Sequence, residues 1–94
     1  MNFIVYLLIS KTKKKYLTYV GFTNNLKKRI NLHNSGKGAK FTKGKQWFLL
    51  YKKSYKSKSK AMIEEYKLKK DRKKRNILKS NYIKKHEGIN SSSI

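Results

Sequence analysis

The chain opens with an unbroken apolar run. "FIVYLLIS" (3–10) is rich in β-branched and aromatic residues and ends at the lysine cluster "KTKKK" (11–15). Eight such residues have the length and composition of a buried strand. "YLTYVGF" (16–22) repeats the character, so the lysine cluster predicts the turn of a β-hairpin. From Asn25 to Asn34 the period lengthens to that of a helix, with N-cap chemistry from Thr23, Asn24 and Asn25 and a left-handed stop at Gly36. "SGKGAKFTKGK" (35–45), with three glycines and four lysines, predicts an ordered but non-regular loop. "WFLLY" (47–51) reads as a third strand continuing to Lys53, residues 60–71 as a second helix, and "RKKRNILKSNYIKK" (72–85) as further helix. Three strands and two or three helices around one sheet make a small α+β domain over 1–87, with 88–94 expected to fray.

The first helix breaks its own pattern. Its i, i+3, i+4, i+7 stripe reads Leu26, Arg29, Ile30, His33, where a purely structural stripe is apolar throughout. A guanidinium half buried against a sheet needs an anion, and the chain offers only Glu64, Glu65, Asp71 and Glu87. A ligand phosphate is the simpler partner; the structural alternative is an arginine snorkelling to the rim beside a surface histidine. The second helix poses the same question. Ala61, Met62, Glu65, Tyr66 and Leu68 fall on one arc, with Glu65 near its centre and Glu64 toward the solvated edge. Such a carboxylate either pairs with Arg29 or holds a hard divalent cation.

Charge changes the picture further. Lysine and arginine number 26 against four acidic residues, a formal net charge of +22 over 94 residues. That repulsion is relieved by a polyanion, and DNA or RNA comes before an anionic membrane because counterion release drives phosphate binding. The basic residues are spread over the chain, which favours a folded binding domain over an appended arm. Candidate nucleic-acid contacts are Lys28, Lys37, Lys40, Lys43, Lys45 and Lys69. Without cysteine there is neither a disulfide framework nor a thiolate metal site, which fits a cytoplasmic protein. The opening apolar run is too short to span a bilayer and has no basic segment before it, so neither a membrane anchor nor a signal peptide is expected.

The ordered set of residues resembles a known family. "IVYLL" with Tyr6, "TYVG" with Tyr19 and Gly21, "NLKKRINLHNSGKGAKFT" with Arg29 and His33, and the glutamate before "YKLKK" closely resemble the GIY-YIG nuclease domain, especially its small single-domain bacterial members, over about residues 2–72. The resemblance implies a three-stranded antiparallel sheet flanked by helices and metal-dependent cleavage of DNA. It further implies that Tyr6 and Tyr19 orient or activate the attacking water. Arg29 would stabilise the phosphate in the transition state, His33 would assist proton transfer, and Glu65 would ligate one Mg²⁺ or Mn²⁺. Two departures stand out: the first motif lacks its glycine, reading Ile4-Val5-Tyr6, and Gln46 precedes Trp47 where relatives often carry proline. With no second module in view, a structure-directed endonuclease acting on branched, nicked or distorted DNA is expected, in repair or recombination. The alternative is a non-catalytic basic nucleic-acid-binding module that retains the fold, and RNA remains open as a ligand.

Overall fold

The computed structural model describes residues 2–87, so the expected frayed tail at 88–94 lies outside the described residues. Its elements run β1 (Phe3–Lys11), β2 (Tyr16–Thr23), α1 (Leu26–Asn34), β3 (Phe48–Tyr55), α2 (Lys58–Lys70) and α3 (Arg72–Glu87). The sheet order is β2-β1-β3, and both pairings are antiparallel. The expected α+β architecture of a three-stranded antiparallel sheet flanked by helices is therefore the observed one.

The unbroken apolar run of β1 has a direct cause. β1 is the central strand and is covered on both faces, so Val5 through Ser10 are all buried. A strand buried on both sides has no solvent face to alternate with. Its odd-numbered side, Val5 and Leu7, forms one core with Val20, Ala61 and Leu68, flanked by Leu50, Tyr51 and Leu78. Its even-numbered side, Tyr6 and Leu8, forms a second core with Trp47, flanked by Leu17, Tyr19, Leu26 and Ile30. Helices α2 and α3 thus close one face of the sheet, and α1 closes the other.

Local chemistry fixes the ends of α1. The Asn25 side chain accepts the Lys28 backbone N–H at 3.1 Å, and Thr23 Oγ1 accepts that of Asn25 at 3.1 Å. At the other end Lys37 N–H donates to Leu32 C=O at 2.8 Å and Gly36 N–H donates to His33 C=O at 3.2 Å. These two bonds are a Schellman termination, and Gly36 takes the required left-handed turn at φ +81°. Asp71 separates the last two helices: its backbone N–H closes α2 on Lys67 and Leu68, and its carboxylate accepts Lys74 N–H at 3.0 Å to start α3.

Two expectations need correction. Trp47 precedes β3 and does not belong to it, and the strand runs on to Tyr55. The reason is that Asn34 occupies both of Trp47's backbone groups: Trp47 N–H donates to Asn34 Oδ1 at 2.6 Å, and Asn34 Nδ2 donates to Trp47 C=O at 3.1 Å. The inward arc of α2 is also narrower than its periodicity predicts. Met62 and Tyr66 are 50% and 60% exposed, and Ala61 and Leu68 alone anchor the helix. Glu64 is therefore not the more solvated glutamate: the Glu64 and Glu65 side chains are 23% and 22% exposed, flanking the anchoring stripe on opposite sides.

Candidate active site

Tyr6 and Gly21 are direct partners across the β1–β2 ladder. A Cβ on Gly21 would collide with the Tyr6 hydroxyl, so the missing side chain is what lets the phenol lie across β2. This gives the glycine of "YVG" a steric reason. From that position the Tyr6 hydroxyl is hydrogen-bonded to His33 Nε2 at 2.9 Å, in a buried contact. His33 is 1% exposed, the one buried residue of α1. The reading of His33 as a surface histidine is thereby excluded.

The glycine-rich loop completes the enclosure. A Cβ on Gly38 would meet the His33 ring and the His33 backbone, so only glycine lets the loop pass this close over the imidazole. Beyond it, Thr42 Oγ1 lies 2.8 Å from His33 Nδ1. Tyr19 packs edge-on against the same imidazole, with ring centroids 5.0 Å apart, and is itself stacked on Phe41. Both motif tyrosines therefore touch one histidine.

The charged groups tune this cluster. Burial pushes the Tyr6 phenol above its ordinary range; Tyr19 and Glu65 add to that, and Arg29 opposes it. Burial, and then the Arg29 guanidinium, hold His33 below the usual imidazole value, so it stays neutral near neutral pH. Arg29 and Glu65 are thus both within electrostatic reach of the Tyr6 hydroxyl. They do not pair with each other. Glu65 takes an ion pair with Lys69 at 3.5 Å, and among the described residues the half-buried Arg29 guanidinium has no carboxylate or hydrogen-bond partner. Glu64 belongs elsewhere: Lys60 and Lys67 each hold it at 3.4 Å, and it lines a pocket of about 170 Å³ with Val5, Tyr51, Tyr55 and Leu68 on the odd-numbered face.

The predicted lysines divide into two sets. Lys28, Lys37, Lys40 and Lys43 are exposed, with Lys28 beside Arg29 in the groove at the start of α1. Lys45 and Lys69 are engaged internally: Lys45 donates to Phe41 C=O at 3.0 Å and covers the Phe41 ring, and Lys69 holds Glu65. Sequence reasoning missed Lys52, which is exposed and directly opposite Tyr6 across the β1–β3 ladder, hence on the same face of the sheet. It also missed Thr42, Gly38 and Asn34 as individual residues, although the first two stand inside the loop it singled out. No three histidine, cysteine or acidic side chains cluster to hold a metal among the described residues. Nor is any helix among them long and apolar enough to cross a membrane.

The site thus gathers a buried tyrosine–histidine pair under a glycine-rich loop, with Arg29 and Glu65 in electrostatic reach of the phenol. The sequence profile of the GIY-YIG catalytic domain matches residues 2–79. The chain belongs to the GIY-YIG family of nucleases. Among its relatives, a UPF0213 protein of Oceanobacillus iheyensis is 52% identical over 52 residues, covering 54% of this chain and 60% of its own length. A UPF0213 protein of Staphylococcus haemolyticus is 46% identical over 65 residues, covering 68% of this chain and 78% of its own. The chain thus spans less than two thirds of the Oceanobacillus relative. A solution NMR structure of a UPF0213 protein from Bacillus halodurans aligns over 100% of both chains at 33% identity, with a TM-score of 0.48.

Proposed function

We propose that this chain is a metal-dependent endonuclease that hydrolyses DNA phosphodiester bonds, acting on branched, nicked or otherwise distorted DNA in repair or recombination. The observation that carries the reading is the buried hydrogen bond between Tyr6 and His33, with the Arg29 guanidinium, which has no partner among the described residues, in electrostatic reach. A phenol alone is a poor base at neutral pH; joined to a neutral imidazole it has somewhere to send a proton. In the reaction a water oxygen bonds to phosphorus, its proton passes to the Tyr6–His33 pair, and one phosphorus–oxygen ester bond breaks. The departing sugar oxygen takes a proton from solvent. Tyr19 bounds the imidazole and helps to orient the water. Arg29, whose guanidinium has no partner among the described residues, is free to bind the phosphate as its charge grows.

The carboxylate available fits a hard cation. Mg²⁺ is commonly held by one or two carboxylates, with substrate phosphate oxygens and water filling its octahedron, so the lone Glu65 near Tyr6 is a sufficient protein contribution. A divalent ion such as Mg²⁺ or Mn²⁺ held there would supply further neutralisation of phosphate charge. Lys69 must release Glu65 for this, or move with it toward the DNA backbone.

The lysine-rich surface supports recognition of backbone geometry over base sequence, because lysine contacts to phosphate carry no sequence information of their own. With six phosphates neutralised, log K against log[salt] slopes at about −5 on duplex DNA. The test is incubation of the purified protein with supercoiled plasmid, linear duplex, branched and nicked oligonucleotides, and RNA, with Mg²⁺ or with a chelator. Mg²⁺-dependent cutting that favours branched or nicked DNA is expected. Tight, salt-sensitive binding with no cutting under any ion makes the domain a binding module, and preferential cutting of RNA replaces the substrate.

A further inference from the structure

The imidazole at the centre of this site has two neutral tautomers, and only one offers Tyr6 a lone pair. We propose that Thr42 is a positioning residue that fixes His33 as the Nδ1–H tautomer and so makes Nε2 the acceptor of the Tyr6 proton. The inference rests on the nuclease reading for its purpose, but its geometry stands apart from that reading.

Thr42 is fully buried, so its hydroxyl must be satisfied within the protein. A hydroxyl has one proton and two lone pairs. Three groups surround Oγ1: Ala39 C=O at 2.9 Å, Ala39 N–H at 3.1 Å and His33 Nδ1 at 2.8 Å. The carbonyl can only accept, so it takes the hydroxyl proton. The Ala39 N–H can only donate, so it takes one lone pair. One lone pair remains, and it is filled if Nδ1 carries a hydrogen. The opposite tautomer would turn the hydroxyl proton toward Nδ1 and leave two oxygens 2.9 Å apart with no proton between them. A neutral His33 with Nδ1–H has a bare Nε2, which accepts the Tyr6 O–H at 2.9 Å.

Thr42 is itself held in place. Trp47 Nε1–H donates to Thr42 C=O at 2.9 Å, and Trp47 is clamped by both polar atoms of the Asn34 side chain. Asn34 follows His33 in the same helix, so 33–47 closes into a hydrogen-bonded ring that returns to the histidine. Gly38 supplies the clearance for that ring to pass over the imidazole. The "SGKGAKFT" loop accordingly has an interior task besides presenting lysines. It sets the polarity of the Tyr6–His33 hydrogen bond.

Nitrogen-15 NMR of the imidazole in the full chain, without nucleic acid or metal, tests this directly. The wild-type protein should show His33 protonated at Nδ1 and bare at Nε2. Thr42→Val keeps the shape and removes the hydroxyl; it should lose that preference, while Thr42→Ser should retain it. In cleavage, Thr42→Val should fall by about 10–100-fold, by analogy with the loss of a partner that orients a metal-bound histidine. Thr42→Ser should recover most of the rate at equal DNA affinity. A wild-type His33 protonated at Nε2, a Thr42→Val protein that keeps Nδ1–H, or a serine variant as impaired as the valine overturns the proposal. Because the wild-type tautomer is read on the folded protein alone, an unstable variant leaves the test intact. A protein with the expected tautomer that cuts no nucleic acid refutes the nuclease reading instead.

Discussion

The two sides of β1 solve different problems with the same strand. On the odd-numbered side Val5 and Leu7 meet Val20, Ala61 and Leu68, and nothing polar from β1 is buried there near the centre. On the even-numbered side Tyr6 lies beside Leu8 and Trp47 but carries its hydroxyl into a chain of buried hydrogen bonds through His33 to Thr42. The first side is bound by apolar burial, which is tolerant of direction. The second depends on hydrogen bonds with fixed donors and acceptors, and it needs two glycines to give the rings room. One face stabilises the domain, and the other also keeps two polar rings in register. The comparison makes a testable claim: damage to the odd face should read out as stability, and damage to the even face as chemistry.

Leu7→Ala should break the first half of that claim's symmetry most severely. Leu7 is completely buried between β2 and the α2 layer, so its truncation should cost about 2–5 kcal/mol. For a domain whose whole stability is on the order of 5–15 kcal/mol, that is a large share. Urea denaturation should show a lowered midpoint, while the fraction still folded cuts DNA at the wild-type rate.

Arg29→Ala should do the reverse. The guanidinium has no partner among the described residues, so its loss should leave the urea midpoint nearly unchanged. Turnover should drop by about 10²–10³, as for removal of one donor that meets developing charge. DNA affinity, carried by many lysines, should change little. Equal losses in binding and turnover would reduce Arg29 to one more phosphate contact.

How much of this contrast was legible in the chain follows from which residues report locally. β1 was readable because burial on both faces leaves an unbroken apolar run. The inward placing of His33 was readable because Asn25 and Gly36 pin both ends of α1 and so fix its phase. α2 misled because its anchors, Ala61 and Leu68, are two residues seven apart, while the more conspicuous Met62 and Tyr66 are exposed. A small anchoring residue gives almost no hydrophobic signal. Trp47 looked like a strand residue because its partner, Asn34, is a polar side chain thirteen positions away and leaves no local mark. Thr42 was hidden for a similar reason. A threonine in a lysine-rich loop reads as surface until its three hydrogen-bond partners are seen.

The smallest effect concerns pH. Burial and Arg29 lower the His33 pKa from 6.5, so as pH falls below that value the unfolded chain takes up a proton that the folded protein refuses. Stability should therefore decline on acidification, with a slope no steeper than about 1.4 kcal/mol per pH unit for one proton. Urea midpoints of the wild type and His33→Gln across that range should diverge, with the variant flatter. His86 is common to both proteins and cancels. A wild type whose acid dependence matches the variant would mean that His33 is readily protonated in place, at odds with a buried neutral imidazole.

Glu64 and Glu65 bring the two faces to a single adjacent pair. Their exposure is the same, their charge is the same, and each is held by lysine. Only Glu65 acts on Tyr6, whereas Glu64 lines the odd-face pocket beside Tyr55. The direct measurement is DNA cleavage by Glu64→Gln and Glu65→Gln across a Mg²⁺ and Mn²⁺ titration, with DNA binding followed in parallel. The account predicts that both variants fold and bind DNA, that Glu64→Gln cuts at close to the wild-type rate, and that Glu65→Gln does not cut at any ion concentration. An inactive Glu64→Gln beside an active Glu65→Gln would put the metal on the wrong face of the sheet, and normal cutting by both would remove the metal-binding role altogether.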